Sequence, residues 1–196
     1  MKIRHAAIFL ALPLLCTTAQ ANSFLHYAGE FNFRTGEKQN NVTIAGLSAI
    51  TFDAKKNIFY AINDSRNNNK EGDASLYTLK IQVSSRGIEQ VNFLNQRPLL
   101  DAKQQPFVTN TVDAEGLALT HNGKSLLWSS ELGAPLRLST LDGVMEKDFT
   151  SLFPARFNIS SDKESSNGIR SGNAWEGLTV TPDGKSLFIA VEISLK

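Results

Sequence analysis

The sequence predicts an all-β fold, a β-propeller-like array of antiparallel sheets that is incomplete at about two and a half blades. Two observations carry this prediction: one hairpin pattern occurs twice, and a looser copy precedes both. Each copy is an apolar strand, a turn rich in Gly, Asn, Asp or Pro, and a second apolar strand, which is typical of a β-hairpin. Because a lone hairpin is marginal in water, a chain that repeats one indicates an array of sheets.

The two close copies occupy residues 113–131 (DAEGLALTHNGKSLLWSSE) and 173–192 (NAWEGLTVTPDGKSLFIAVE). Aligned on Glu115 and Glu176, they share E-G-L, a threonine, G-K-S-L and a terminal glutamate, at a constant offset of 61 residues. The looser copy, residues 46–65, aligns on its Gly-Leu at a period of 70 residues, with Ala45 in place of the glutamate and a turn two residues longer.

A third strand is predicted after each of the first two hairpins, in residues 76–81 and 136–141. The sequence given stops four residues after Glu192, which leaves no room for this strand in the last unit. Since propellers typically have 4 to 8 blades, we expect an amino-terminal portion of a longer protein, a truncated copy, or a piece that needs another chain.

The remaining segments are predicted from their alternation of apolar and polar residues and from their turn residues. They are a strand near 30–34, a polar turn at 35–41, a polar loop at 63–73, a short strand at 91–93, an irregular connection at 97–110, a helical turn at 151–156 and a polar loop at 158–172.

Residues 1–21 have a basic start, an apolar run and the small-residue site A-Q-A, which together predict a secretory signal peptide and a periplasmic or secreted protein. An uncleaved anchor is the alternative, but the apolar run is shorter than the roughly 20 residues that a membrane span needs. The mature domain is then residues 22–196, and no other apolar stretch is long enough to span a bilayer. Cys16 is the only cysteine, so the mature chain forms no internal disulfide.

Without Lys2 and Arg4, the mature chain carries 18 basic and 19 acidic residues. This balance gives no electrostatic reason to expect nucleic acid or an anionic membrane as a partner. His26 and His121 are the only histidines of the mature chain, and no G-x-S-x-G or phosphate-binding glycine motif is present. Any catalysis would depend on carboxylates, arginines and a cation, which is compatible with metal-assisted hydrolysis of an ester.

The repeated glutamates are the first candidates for a site. In a propeller the innermost strands border a central channel, so we expect Glu115 and Glu176 to converge near one mouth, with Asp113 beside them. Carboxylates gathered in this way repel one another unless a positive charge lies between them, and a hard cation such as Ca²⁺ prefers oxygen ligands. The alternative is structural: each glutamate accepts hydrogen bonds from backbone amides of the neighbouring blade and tethers the blades together.

Strand ends feed loops on one rim, so Asp64, Arg66 and Glu131 are expected to face the same opening. Arg66 and Arg170 can bind a phosphate or a carboxylate in forked geometry. Arg170 and Asn173 immediately precede the Trp-Glu of the last copy.

The ordered motifs AGLSAITFD, FYAINDSR, DAEGLAL, WSSELG, PARF and GIRSGNAWEGLTVTPDGKSLFIAVE resemble those of the phytase-like family, which is described as having esterase-like activity. The resemblance spans residues 45–192 and implies a secreted or periplasmic β-propeller-like hydrolase of phosphate or carboxylic esters, with a small-molecule ester as its partner. The family's pattern continues past the third motif, whereas the given sequence stops four residues after it. The matching positions are Ser48, Asp64, Arg66, Asp113, Glu115, Glu131, Arg170, Asn173 and Glu176.

From the residues and this resemblance together we expect three groups of site residues. The alternatives to a hydrolase are a non-catalytic propeller that binds a ligand or protein, and an inactive truncated fragment; the oligomeric state is left open. The expected groups are catalytic Glu115, Glu176, Glu131 and Asp64; substrate-binding Arg66, Arg170, Asn173 and Ser48; and Ca²⁺-binding Asp113, Glu115 and Glu176.

Overall fold

The computed structural model describes residues 27–34, 36–39, 42–44, 46–157, 159–160, 168–170 and 172–193. The expected signal peptide, residues 1–21, lies outside this range. The described residues form β-strands and two short 3₁₀ helices, which confirms the all-β class. Among them, no helix is long and apolar enough to cross a membrane. The strands in chain order are β1 (Lys38–Gln39), β2 (Val42–Thr43), β3 (Leu47–Asp53), β4 (Ile58–Asn63), β5 (Ser75–Ser84), β6 (Gly87–Pro98), β7 (Ala114–Leu119), β8 (Ser125–Ser130), β9 (Leu136–Thr140), β10 (Met145–Asp148), β11 (Ile159–Ser160), β12 (Ile169–Arg170), β13 (Trp175–Val180) and β14 (Leu187–Val191).

The main strands form three successive units. Unit 1 is the antiparallel sheet β3-β4-β5-β6, unit 2 is the antiparallel sheet β7-β8-β9-β10, and unit 3 is the hairpin β13-β14. The first strands of the units lie side by side, since β7 contacts both β3 and β13. The described residues therefore form two four-stranded blades and the inner hairpin of a third, with the first strands adjacent to one another. This arrangement confirms the propeller-like architecture.

The strand register shows how the units correspond. In each unit the first residue of the first strand pairs with the last residue of the second strand. The first strand then has one extra residue, a β-bulge. Ser48, Glu115 and Glu176 therefore occupy equivalent positions in the three units. Units 1 and 2 are thus offset by 67 residues and units 2 and 3 by 61, so the predicted period of 70 and the longer turn are wrong. Bulges re-aim the side chains beside them. The opening pairs are Leu47 with Asn63, Ala114 with Ser130, and Trp175 with Val191.

The strand predicted near residues 30–34 is wrong, because the described residues 27–34 have no strand and the hairpin β1-β2 falls partly in the predicted polar turn. The rings of Phe31 and Phe33 contact each other at a tilt with centroids 5.1 Å apart, and Phe33 packs edge-on against Phe93 at 5.5 Å. Their alternation with polar residues therefore reflects packing onto unit 1.

Most of the other segments agree with expectation. Residues 64–74 form the predicted loop, β6 contains the predicted short strand, and the helical turn appears as the 3₁₀ helices Thr150–Leu152 and Ala155–Phe157. The predicted loop at 158–172 contains the parallel pair β11-β12; residues 158, 161–167 and 171 lie outside the described part.

The main hydrophobic core fills the joint between units 1 and 2. Aliphatic and aromatic side chains from both sheets meet there, and Trp128 at its centre donates from Nε1 to the Ser139 hydroxyl at 2.8 Å. The joint between units 2 and 3 has a smaller buried cluster around Trp175, on which Phe153 and Phe157 pack. The core of the first joint contains Tyr60, Ile62, Ala74, Leu76, Leu99, Val112, Ala114, Leu117, Leu126 and Trp128.

Candidate functional site

Acidic side chains collect where the inner hairpins open. In each unit the residue after the second strand donates its backbone N–H to the residue before the first strand, at 2.9 to 3.0 Å. These contacts hold strand starts, bulges and strand ends of all three units at one mouth. We call its carboxylates the acidic mouth: Asp64, Asp113, Glu115, Glu131, Glu176 and Glu192.

Among the described residues, two groups of three carboxylates are each compact enough to hold one ion. Oxygens of Asp113, Glu115 and Glu131 all lie within 4.8 Å of one another, and so do those of Glu131, Glu176 and Glu192. Glu131 belongs to both groups. The structure thus places Glu131 with Asp113 and Glu115, whereas Glu176 joins a neighbouring group with Glu192.

Asp113 has the most unusual environment in the acidic mouth. Its side chain is 1% exposed, and its Oδ2 accepts from Arg66 Nε at 2.7 Å and from Arg66 Nη2 at 2.6 Å. Its Oδ1 is buried and has no hydrogen-bond partner among the described residues. Burial raises the pKa of Asp113, and the Arg66 guanidinium opposes that rise. Leaving a buried acceptor unsatisfied is costly, so Oδ1 is an unused acceptor inside the acidic mouth.

Glu115 is held in a similarly unfavourable setting. Burial, followed by repulsion from Glu176 and Asp113, raises its pKa to about 8, although the Ser48 hydroxyl hydrogen-bonds to the carboxylate and opposes the shift. Burial also raises the pKa of Glu176, with further contributions from Glu131 and Glu192. The charged forms of these groups are therefore under-compensated by the chain itself.

Glu131 makes the type of contact that the structural alternative expected of Glu115 and Glu176. Its Oε1 accepts from the backbone N–H of Ala174 at 2.5 Å, which joins unit 2 to unit 3. In unit 3, Asn173 Nδ2 donates to Glu192 Oε2 at 2.5 Å. Glu131 thus connects two units, and the same carboxylate belongs to both groups of three.

A second polar tie lies beside the first. The Ser129 hydroxyl accepts from Gly116 N at 2.7 Å and donates to Glu176 O at 2.8 Å. A Cβ on Gly116 would come within 2.4 Å of Glu176 O, so only glycine allows this approach of the two inner strands.

A polar pocket of about 420 Å³ opens next to Arg66. Two loops form it, and they are joined by Asn110 N donating to Arg66 O at 2.8 Å and by Asn67 Nδ2 donating to Phe107 O at 2.8 Å. Sequence reasoning found Arg66 but missed the pocket, since its halves lie about 40 residues apart. Its lining residues are Arg66, Asn68, Asn69, Lys70, Glu71 and Asn110.

The remaining expected site residues lie at the edge of the mouth. Asp64 is exposed and packs against Gly46, where a Cβ would meet its Oδ1 at 2.1 Å. Arg170 ends β12 and is exposed, and its carbonyl accepts from Asn173 N at 3.2 Å. The described part of the chain thus places Arg170 and Asn173 beside unit 3, while Arg66 lies between units 1 and 2.

The fold and the acidic mouth define a β-propeller-like protein with a carboxylate-lined opening. The family model described as "Phytase-like: Esterase-like activity of phytase" matches residues 42–196. The chain belongs to this phytase-like family, as the ordered motifs predicted.

Two solved structures resemble the chain at low identity. The periplasmic gluconolactonase of Pseudomonas aeruginosa is 14% identical with a TM-score of 0.44, over 76% of this chain and 38% of that one. A putative 6-phosphogluconolactonase from Bacteroides uniformis is 13% identical with a TM-score of 0.36, over 80% and 53% of the respective chains. The chain thus spans about half or less of either structure. A comparison with curated protein sequences found no significant match.

Proposed function

We propose that this protein is a cation-dependent hydrolase of phosphate or carboxylic esters that works at the acidic mouth. The observation that carries the proposal is the buried, unpartnered Oδ1 of Asp113 beside Glu115 and Glu131. A chain that collects three carboxylates around such an atom, with a single arginine paired to its other oxygen, gains most from a bound cation.

The donor set fits Ca²⁺ better than a transition metal. All candidate ligands are carboxylate oxygens, which hard cations prefer, and Ca²⁺ accepts irregular geometry with several water ligands. When bound, the ion would neutralise the carboxylates and polarise the ester oxygen. We assign Asp113, Glu115 and Glu131 as its ligands and keep Glu176 at the edge of the site.

The remaining carboxylates supply base chemistry. Glu176 lies close enough to Glu115 to raise the pKa of Glu115, and its own raised pKa makes its carboxylate a stronger base than that of an exposed glutamate. In the proposed reaction water attacks the ester carbon or phosphorus and Glu176 accepts one proton of that water. The bond from that atom to the alcohol oxygen then breaks, and Glu176 returns the proton to this oxygen as the alcohol leaves. Asp64 and Ser48 line the acidic mouth on the side of unit 1.

The polar pocket favours phosphate esters over neutral carboxylic esters. It places the guanidinium of Arg66 and the ammonium of Lys70 beside three asparagine side chains, against one carboxylate from Glu71. Arg66 directs Nε and Nη2 to Asp113 and keeps other N–H groups for a ligand. A phosphate oxygen accepts from such donors with charge assistance. Arg170 and Asn173 would contact the far end of the substrate.

The expected signal peptide and the family together support a periplasmic or secreted enzyme that acts on a small molecule. The non-catalytic alternative, a propeller that binds a ligand at its rim, is favoured by one observation: Glu131 already ties unit 2 to unit 3 through Ala174. The two proposals differ in what the ion does, which can be measured.

The test uses the full chain. Calcium titration followed by calorimetry should show binding that Asp113→Asn weakens by about 10-fold or more, and that Asp183→Asn, an exposed turn carboxylate outside the acidic mouth, leaves unchanged. Hydrolysis of a phosphomonoester and of a simple carboxylic ester is measured with calcium and with chelator. Calcium binding without turnover of either ester would select the binding module, and no calcium binding would overturn the ion site.

A further inference from the structure

Arg137, in β9 of unit 2, is a buried cation that takes no part in the proposed reaction. It is 4% exposed, and the ion pairs among the described residues do not include it. Burial lowers the pKa of its guanidinium to about 10, and Asp148 opposes that shift. Since a buried charge without an opposite charge beside it is costly, its contacts should show what the arginine contributes to the molecule.

In the described part of the chain, the hydrogen bonds of this guanidinium all go to backbone carbonyls. Nη1 donates to Ala134 O at 2.9 Å, and Nη2 donates to Thr111 O at 3.4 Å and to Leu132 O at 3.5 Å. Two of these carbonyls lie in the loop after β8, and one lies in the segment before β7. A guanidinium presents five N–H donors in a rigid fork, so one side chain can hold the two segments together.

Both segments carry ligands of the proposed ion site. One of the three carbonyls lies two residues before Asp113, and another belongs to the residue directly after Glu131. The segments also contact each other, because Glu131 N donates to Asp113 O at 2.9 Å and Asp113 N donates to the Ser130 hydroxyl at 3.0 Å. Arg137 therefore joins the backbone that sets the spacing of the Asp113 and Glu131 carboxylates.

Two aromatic rings contact the Arg137 guanidinium. Its Cζ lies 4.8 Å from the ring centroid of Trp128 and 5.2 Å from that of Phe107, and the two rings pack edge-on at 5.9 Å. Trp128 belongs to the core of the joint between units 1 and 2, and Phe107 packs against that core. Cation–π contacts strengthen when the charge is removed from water, so the arginine connects a well-packed part of the core to the acidic mouth.

The loop after Glu131 fits closely around this guanidinium. Gly133 has a φ of 69°, and a Cβ there would come within 2.6 Å of Thr111 O and 2.7 Å of Arg137 Nη2. A side chain at this position would push the guanidinium away from the carbonyls that it holds. The contact can therefore be disturbed from either partner, by changing the arginine or by changing the glycine.

Unit 1 has a neutral side chain in the equivalent place. Tyr77 has the register position in β5 that Arg137 has in β9. Its hydroxyl donates to Thr43 O at 3.4 Å and accepts from Asn63 Nδ2 at 3.4 Å, so it also joins the segment before a first strand to the end of a second strand. A hydroxyl is therefore sufficient to connect these segments. Unit 2 has instead a costly buried charge with a longer reach, at the place where both segments carry proposed ion ligands.

We propose that Arg137 is a positioning residue for the ion site: its fork holds the segments of Asp113 and Glu131 so that both carboxylates stay within reach of one ion. This inference deepens the proposed function and rests on it for the presence of the ion. Altering a group that holds metal ligands in place typically changes the metal affinity about 10- to 100-fold. An arginine with only a structural role would leave the affinity of the folded protein unchanged.

The first test measures calcium binding to the full chain by calorimetry. Lysine keeps the charge but replaces the fork with one ammonium group, so we expect Arg137→Lys, and likewise Gly133→Ala, to raise the dissociation constant by about 10-fold or more. The control is Leu126→Ala, which alters a side chain that is 1% exposed in the same core, near the turn end of β8. It should destabilise the fold and leave the dissociation constant unchanged. Equal affinity of the parent and Arg137→Lys, or an equal loss in Leu126→Ala, would overturn the positioning role.

The second test needs no bound ion, so it separates failure of this inference from failure of the ion site. Amide hydrogen exchange is measured in chelator at Glu131, whose N–H donates to Asp113 O, and at Asp64, whose N–H makes the equivalent contact in unit 1. We expect Arg137→Lys to speed exchange at Glu131 by about 10-fold or more relative to Asp64. No change at Glu131 would overturn the inference whether or not calcium binds. Faster exchange at Glu131 with no calcium binding by the parent would keep the hold on the two segments and overturn the ion site of the proposed function.

Discussion

The joint between units 1 and 2 and the joint between units 2 and 3 use the same strand register but differ in how they are held. The first has a continuous apolar core and the ion pair of Arg66 with Asp113. The second has a smaller core beside a cavity of about 370 Å³, and polar ties through Glu131 and Ser129. The comparison shows that equivalent strand pairs can be held mainly by apolar packing in one joint and mainly by polar contacts in the next.

The difference follows from single positions. Ala174 precedes the first strand of unit 3 at the position that Asp113 has in unit 2, so the second joint has no carboxylate there. Instead, the carboxylate of Glu131 accepts a hydrogen bond from the backbone N–H of Ala174. Where unit 2 places Trp128 in the first joint, unit 3 places the smaller Ile189 in the second. Smaller side chains leave the space that the cavity occupies.

The largest expected effect tests the two cores at matched positions. Leu126 is 1% exposed in the first joint, and its equivalent in the second, Leu187, is only partly buried and lines the cavity. Leu126→Ala should lower the free energy of unfolding by about 2–5 kcal/mol, and Leu187→Ala by less than half as much, because its side chain already borders open space. Urea unfolding of both variants gives the comparison. Equal losses would mean that the second joint is as well packed as the first.

The next effect concerns Asp113, whose carboxylate serves the first joint and the proposed ion site. Asp113→Asn removes the charge that Arg66 pairs with, and we expect a loss of about 1.5–3 kcal/mol in chelator, the range for hydrogen bonds to charged groups. The matched control is Asp142→Asn, since Asp142 pairs with Arg97 on the surface, where ion pairs contribute about 0–1 kcal/mol. If the Asp113 variant were no less stable than the Asp142 variant, the buried pair would not support the joint.

A smaller effect tests the close approach at the second joint. Gly116→Ala places a Cβ within 2.4 Å of Glu176 O and 2.5 Å of the Ser129 hydroxyl, and should cost about 1–3 kcal/mol. Gly177, at the same level in unit 3, meets only Ala190 Cβ at 3.6 Å. Gly177→Ala should therefore be within about 0.5 kcal/mol of the parent in free energy of unfolding. A tolerated Gly116→Ala would show that the two inner strands can separate.

These matched positions show what the sequence could and could not predict. The repeated E-G-L and G-K-S-L segments predicted the hairpins and the gathering of carboxylates, because a periodic pattern places equivalent side chains at equivalent points. The register of unit 1 was mispredicted: aligning Gly46 with Gly116 paired Glu115 with Ala45, whereas the bulge pairs it with Ser48. The alignment failed because unit 1 has a Gly-Leu pair at 46–47, whereas Ala49 and Ile50 occupy the positions of Gly116 and Leu117.

Two parts of the site depended on contacts that no local pattern contains. Glu131 joins Asp113 and Glu115 because the end of one strand lies against the start of its partner, which the terminal glutamates at 131 and 192 hinted at. The pocket of Lys70 requires two loops to meet across about 40 residues of chain. The spacing of these residues in the sequence predicted neither the approach of Glu131 to Asp113 nor the meeting of the two loops.

A last comparison uses pH to test the acids of the two joints, with the protein kept free of divalent cations by chelator. The pKa of Glu115 is raised from 4.5 to about 8, so between these values the folded state holds a proton that the unfolded state has released. Its contribution to stability is therefore full below about pH 4.5 and is lost as the pH rises through 8. The urea midpoint should fall across this window, Glu115→Gln should flatten the fall more than Glu176→Gln does, and saturating calcium should abolish it. A midpoint that rises from pH 5 to pH 8 in chelator would contradict the charge repulsion on which the proposed ion site depends.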